Sequence, residues 1–212
     1  MRKVSNWSRV IPYAEIVQAN RLHPLAFIQI VYLGIMKKIQ QVLFLATALF
    51  VGITLSAQDS IQWMSFSELE VAMDQQPKKV LVFVETDWCG WCRKMKNESF
   101  KDADVINYVN KNYYPVILNG EEKETITYRG RAYKWKPSGR RGANELAIEL
   151  LNGRMGYPTI IFLNESEQIL QTLPGYKDAK MFYKIITFFG GDHFKDTTWE
   201  NYQEQFNAKN TP

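Results

Sequence analysis

From Ser65 to Gln76 the apolar residues Phe66, Leu69, Val71 and Met73 fall near helical spacing, with Ser65 or Ser67 placed to cap the start and Pro77 beyond the end. This stretch predicts a first helix. Lys79 to Thr86 then reads KVLVFVET, an unbroken β-branched and aromatic run of the kind expected for a buried central strand. Cys92 to Phe100 and Asp102 to Asn112 read as helical, and Tyr113 to Leu118 reads as a second buried strand ending before Asn119 and Gly120. Strand, helix, strand makes a βαβ unit.

Residues 121–143 interrupt this pattern with a polar insertion, in which TITY and AYKW flank Arg129-Gly130-Arg131 and suit a short hairpin. The helical pattern resumes from Asn144 to Leu151 through Leu146, Ile148, Leu150 and Leu151, with Gly153 as its stop. After Tyr157-Pro158 come TIIFL, a turn at Asn164 to Glu167, and QILQTL ending at Pro174-Gly175, which together predict a β-hairpin added to the same sheet. Asp178 to Phe189 closes as an amphipathic helix, and Thr197 to Phe206 reads as a further helix in a C-terminal tail at 192–212. The aromatic tail residues Trp199, Tyr202 and Phe206 read as a packing face rather than a ligand site.

Upstream, Met36, Lys37 and Lys38 precede an uncharged apolar run from Val42 to Leu55 that closes on small Ser56 and Ala57. Basic start, apolar centre and small end is the order of a secretory signal peptide, so residues 36–57 are expected to direct export to the periplasm. Cleavage after Ala57 or after Ser56 both stay open. The alternative is an uncleaved membrane anchor over residues 39–57, although the run falls short of the roughly 20 apolar residues a spanning helix wants. Residues 1–35 then read as an upstream extension or a misassigned start. On the second reading His23 drops out and His193 is the one histidine left.

Charge follows the same division. Of 212 residues 46% are hydrophobic and 14% aromatic, enough to bury a large core and to exclude a disordered or collagen-like chain. The net charge of +4 invites a nucleic-acid reading, but residues 1–57 hold six Lys or Arg against one acid. The remaining 155 residues carry 20 basic and 21 acidic groups, so the excess belongs to the leader. Gln58 to Pro212 reads as one domain, without repeat or linker, and with no visible dimerisation element it points to a monomer.

The two cysteines sit as Trp88-Cys89-Gly90-Trp91-Cys92, where a hydrophobic strand turns into a helix. A helix start aims unpaired N–H groups and the positive end of its dipole at the first sulfur, which favours thiolate over thiol. Cys89 is therefore the expected nucleophile. Cys92, three residues on, is placed to attack a mixed disulfide and release the substrate. Asp87, Arg93, Lys94 and Lys96 surround the pair with charges of both signs. A purely structural bridge over so short a loop would restrain the unfolded chain little. Zinc would need two more ligands, from carboxylates or a second subunit, so no metal is expected.

TDWCGWCRKMKNESF, from Thr86 to Phe100, followed by GYPTIIFL and a final amphipathic helix, resembles the thioredoxin superfamily. More narrowly it is similar to exported bacterial thioredoxin-like thiol:disulfide oxidoreductases, over about residues 60–190. The resemblance implies an α/β thioredoxin fold: a central mixed sheet flanked by helices, here with a polar hairpin inserted before the strand that follows a cis-proline. It implies that Pro158, after Tyr157, is that cis-proline beside the nucleophilic cysteine, and that Trp88, Gly90 and Trp91 support the site. The cofactor would be the redox-active Cys89–Cys92 disulfide itself.

Two departures alter the expectation. Where thioredoxins keep a buried aspartate on the central strand, this chain has Phe83. Glu85, on the same strand face by period-2 alternation, is the candidate to take over the proton relay, or else an exposed strand end. Gly90-Trp91 matches none of the familiar dipeptides between the cysteines, so it does not give the direction of electron flow. Reduction of disulfides in exported proteins, fed by a membrane or soluble electron donor, is the first reading. Oxidase or isomerase is the alternative, and a non-catalytic binding or chaperone module is the alternative of another class. In the insertion, Arg129, Arg131, Lys134, Lys136, Arg140 and Arg141 interleave with Tyr128, Tyr133 and Trp135, but Glu121, Glu122 and Glu124 lie alongside. That pattern is read as a rim selecting the protein partner, with no nucleic acid expected.

Overall fold

The computed structural model describes residues 32–41, 60–138 and 141–209. The chain divides after Ala57. In the first part, residues 32–41 are helical with exposed side chains. Residues 42–57 of the expected signal peptide, most of 1–35, and Arg140 lie outside the described residues. Among those described, no helix is long and apolar enough to cross a membrane.

The second part is built on a four-stranded sheet of β1 (Val80–Glu85), β2 (Tyr114–Asn119), β7 (Thr159–Leu163) and β8 (Ile169–Pro174), in the order β2-β1-β7-β8. β1 runs parallel to β2 and antiparallel to β7, and Phe83 stands opposite both Ile117 and Ile160. A strand with neighbours on both sides and helices on both faces favours an unbroken apolar run, and Val80 to Val84 are all buried, with Glu85 half-buried at the end.

Alternation sorts those residues between two cores. Leu81 and Phe83 face a layer formed by α2 (Gly90–Asn97), α3 (Ala103–Asn112) and α5 (Ala179–Gly190), where they meet Met95, Val109, Phe182 and both cysteines. Val80, Val82 and Val84 face α1 (Phe66–Gln75) and α4 (Glu145–Leu150) together with the insertion. The first helix starts as expected: the Ser65 hydroxyl accepts from the Glu68 N–H, and the Glu68 carboxylate accepts from the Ser65 N–H, a capping box. Val71 departs from expectation. It is 58% exposed, because two residues from Leu69 is about 200° around a helix, away from the Phe66, Leu69 and Met73 stripe. The helix expected from Cys92 to Phe100 instead begins at Gly90, ends at Asn97 and is followed by a 3₁₀ turn at Ser99–Lys101.

The insertion folds into two ribbons rather than one. β3 (Ile126–Tyr128) and β4 (Arg131–Tyr133) pair around Arg129 and Gly130, both at positive φ (49° and 72°), as a two-residue hairpin turn of the I′ kind requires. AYKW was expected to act as a single strand, but Lys134 divides it. Its carbonyl accepts from the Glu145 N–H and its N–H donates to the Glu145 carboxylate, so its backbone serves the start of α4. Trp135–Ser138 (β5) then pairs with Arg141–Asn144 (β6). Tyr128 and Tyr133 turn inward and are buried in the second core. Their basic neighbours are ion-paired, Arg129 with Asp74 and Glu167, and Arg131 with Glu149. At Tyr128 and Tyr133 the basic and aromatic pattern is therefore a hairpin anchored by its rings. At the other end, α6 (Trp199–Lys209) packs on α5 through ring contacts of Trp199 and Tyr202 with Phe188.

Candidate active site

The cysteines stand where β1 gives way to α2. Cys89 is the N-cap of that helix, with φ −70° and ψ 103°, and its Sγ accepts from the Cys92 N–H at 3.0 Å. A cap position leaves the first amides of the helix without partners inside it, and here one of them points at sulfur. The two cysteines form a disulfide with Cα atoms 5.2 Å apart. Cys89 is 3% exposed and Cys92 0%, so both are buried in the oxidised protein, packed in the first core.

Both tryptophans of the motif are exposed, Trp88 at 50% and Trp91 at 58%. Trp88 meets the ring of Tyr157 edge-on at 6.0 Å, and the Arg141 guanidinium lies over its face at 4.2 Å. Trp91 lies 5.5 Å from Tyr176, and the Lys94 ammonium covers both rings. The charges around the motif are committed to separate duties. Arg93 donates to the Asp87 carbonyl at 2.8 Å, while Lys96 pairs with Glu85 at 2.6 Å. Glu85 is thus not an idle strand end: its side chain is 13% exposed and bonded to α2. Gly90 has room around it, since an added Cβ would meet only Arg93 Nη2 at 3.9 Å.

The Tyr157–Pro158 peptide bond is cis, and the Pro158 carbonyl accepts from the Gly175 N–H at 2.7 Å. Tyr157 packs against both cores, and burial, aided by the nearby Glu121 carboxylate, pushes its phenol up to about 12. The ring stays protonated at neutral pH. The structure therefore gathers Trp88, Cys89, Cys92 and Tyr157 around one another, with Glu85 attached through Lys96. Arg141 and Tyr176 were missed as site residues, because the sequence carries no periodic signal for a polar contact made across so long a stretch of chain.

Residues 66–190 match the thioredoxin-like domain family. A relative from Archaeoglobus fulgidus, described as an uncharacterized protein, is 29% identical over 92 residues, covering 42% of this chain and 72% of its own. Among solved structures, a thioredoxin-fold protein from Helicobacter pylori aligns with a TM-score of 0.48 at 15% identity, covering 73% of this chain and 91% of that one. A DsbH oxidoreductase aligns at 0.45 and 18% identity, covering 62% and 85% respectively. A disulphide isomerase from Xylella fastidiosa Temecula1 aligns at 0.40 and 13%, covering 64% and 98%. The family match spans the whole sheet, from α1 through α5, with the cysteine pair at the start of α2 inside it, and on that ground the chain belongs to the thioredoxin-like domain family.

Proposed function

We propose that the protein is an exported thiol:disulfide oxidoreductase that reduces disulfides in other proteins. The observation that carries this reading is the N–H of Cys92 aimed at the Cys89 sulfur, with Cys92 buried behind it. In the reduced protein the Cys89 thiolate attacks one sulfur of a substrate disulfide, and the other leaves as a thiolate that takes up a proton. Cys92 loses its proton and attacks Cys89, which expels the second substrate thiol and forms the Cys89–Cys92 bond. Two electrons have passed to the substrate, whose two thiols are completed by the proton Cys92 gives up and by one from water that replaces the proton Cys89 lost on ionising, and a membrane or soluble dithiol donor must return the electrons. In this reading Glu85 receives the Cys92 proton in place of the aspartate that Phe83 replaces, the protein works as a monomer, and residues 36–57 export it to the periplasm.

The reductive direction follows the resemblance to Trp-Cys-x-x-Cys proteins that deliver electrons outward. The test is the reduction potential of the pair, found by equilibrating the purified protein with glutathione and dithiothreitol. A value at or below about −230 mV supports a reductase, and one above about −180 mV makes the protein an oxidase or isomerase. A pair that forms no reversible disulfide overturns the catalytic reading in favour of a binding module.

A further inference from the structure

Away from the cysteines, a hollow of about 590 Å³ opens between the edge strand β8 and α5. Its lining takes nothing from the Trp88–Cys92 motif, from the insertion or from the loop before Pro158. The volume lies within the range of small-molecule sites.

The strand side is shaped by a β-bulge. Leu163 pairs with Ile169 and Phe162 with Gln171, so Leu170 is an extra residue with no partner opposite. In a regular strand Leu170 and Leu173 would point to opposite faces, whereas the bulge lets both join the first core and line the hollow. The helix side comes from Met181 and Ile185, one turn apart, and from Phe188 and Phe189 a turn further on. The far end is an aromatic wall: Phe188 lies 5.2 Å from Trp199 of α6, and Phe189 lies 5.7 Å from Phe194 of the 3₁₀ turn at His193–Lys195. From Met181 to Phe189 the helix runs about 12 Å.

Of the described residues lining the hollow, Lys177 alone is charged, and it stands at the other end, just before α5. Its ammonium donates to the Pro174 and Gly175 carbonyls at 2.8 and 3.0 Å, and among the described residues it forms no ion pair. An ammonium has three N–H groups, so one stays available. The backbone beside it is tied down, because the Lys177 carbonyl accepts from the hydroxyl of fully buried Ser99 at 2.6 Å. Burial holds the amine below the ordinary lysine value of 10.5, as expected of a cation with no carboxylate beside it.

We propose that this hollow binds a free medium-chain aliphatic carboxylate, with the carboxylate on the Lys177 ammonium and the chain lying along α5 toward Phe188 and Phe189. An apolar trough with one unpaired cation at its end complements an anion that carries an apolar tail. A polypeptide laid there would bury peptide groups against walls whose only polar side chains are Gln171 and Lys177. The site goes beyond the oxidoreductase reading and does not depend on it.

The test is isothermal titration calorimetry of the full-length protein with decanoate, decylammonium and acetate. Decanoate is expected to bind one to one and at least about tenfold tighter than decylammonium, whose charge opposes that of Lys177. Acetate, which lacks the chain, should not bind. Lys177→Met should weaken decanoate about tenfold, the scale of one charge-assisted hydrogen bond, and leave decan-1-ol unaffected. Met181→Glu should abolish decanoate binding, and Met181→Leu should keep it. No binding of decanoate, equal affinity for decylammonium, uptake of several molecules per chain, or binding unmoved by Lys177→Met each overturns the site. The comparison of decanoate with decylammonium needs no variant, so it decides the matter even if Met181→Glu fails to fold. Sedimentation equilibrium adds one more arm: a dimer that Met181→Glu separates and decanoate does not would assign the hollow to a second copy of the chain and overturn the ligand.

Discussion

The backbone N–H of Cys92 donates to the Sγ of Cys89 over 3.0 Å, so the second cysteine's amide already serves the first cysteine's sulfur before any substrate is present. Once the disulfide is reduced, that amide and the helix start favour a thiolate on Cys89, while Cys92 stays in the core. Brief treatment of the reduced protein with iodoacetamide should therefore label Cys89 at least about tenfold faster than Cys92. Peptide mass spectrometry reads the ratio, and equal labelling would remove the asymmetry that the proposed mechanism needs.

Glu85 and Lys96 form the next link outward, with the carboxylate 2.6 Å from the ammonium and 13% exposed. If Glu85 takes the proton from Cys92, Glu85→Gln should slow resolution of the mixed disulfide about a hundredfold and flatten its pH profile. Lys96→Met keeps the carboxylate and should slow the step far less. Stopped-flow measurement of substrate release distinguishes them. Equal slowing by both variants would assign the pair to holding α2 on the strand.

Lys79 places a charge where the sheet is otherwise apolar: its side chain is 7% exposed, 2.7 Å from Glu165 and 2.9 Å from Asp192. Burial pulls the ammonium down, but hydrogen bonds to the two carboxylates outweigh it and hold it above the ordinary lysine value of 10.5. The Lys79 hydrogen bond keeps Glu165 below its ordinary 4.5. For Asp192 burial pushes upward, and the bonds from Lys79 and Lys195 prevail, leaving it below 3.8. Depressed carboxylates stabilise the fold above their unfolded values and lose that contribution as pH falls through the folded ones. A raised lysine contributes below its unfolded value and loses that contribution as pH rises through the folded one. The triad is thus at full strength between about pH 4.5 and 10.5. Glu165 is 47% exposed and Asp192 38%, so solvent screens the pairs and Lys79→Met should cost only about 1 kcal/mol at pH 7. Urea unfolding should show the gap between parent and variant narrowing at pH 3, and a constant gap would exclude the linkage.

Sequence pattern carried the parts of this molecule that repeat a simple physical demand. The apolar run from Val80 to Val84 could only be buried on both faces, Ser65 was one of two serines legible as the cap of the first helix, and two cysteines three apart stood where a strand turns into a helix. The insertion was legible only as a hairpin turn at Arg129-Gly130. Its second ribbon depends on Trp135 lying over Gly142 and on Glu145 taking the backbone of Lys134, and such contacts leave no periodicity behind. Arg141 illustrates the same limit. It read as one more cation in a charged stretch, yet it lies on Trp88, the residue before Cys89.

Two glycines near the site should respond to alanine with opposite signs. Gly120 follows β2, and its backbone is fixed on both sides: its N–H donates to the Glu85 carbonyl at 2.8 Å, and its carbonyl accepts from the Asn144 N–H at 2.9 Å. A Cβ there would fall 2.6 Å from Cε1 and 2.8 Å from Cζ of Tyr157, closer than nonbonded carbons approach. The backbone is tied, so the tyrosine must swing away, and with it goes the edge contact that holds Trp88. Gly120→Ala should cost about 1–3 kcal/mol of stability and lower the rate of protein-disulfide reduction as Trp88 loses its support. At Gly90, in the first turn of α2, the new methyl meets only Arg93 Nη2 at 3.9 Å. Restricting the unfolded chain without straining the folded one should raise stability by about 0.4–1 kcal/mol. Urea unfolding of the two oxidised variants measures both signs. A Gly120→Ala protein as stable and as active as the parent would mean that Tyr157 has a second resting place, and that Trp88 does not depend on it.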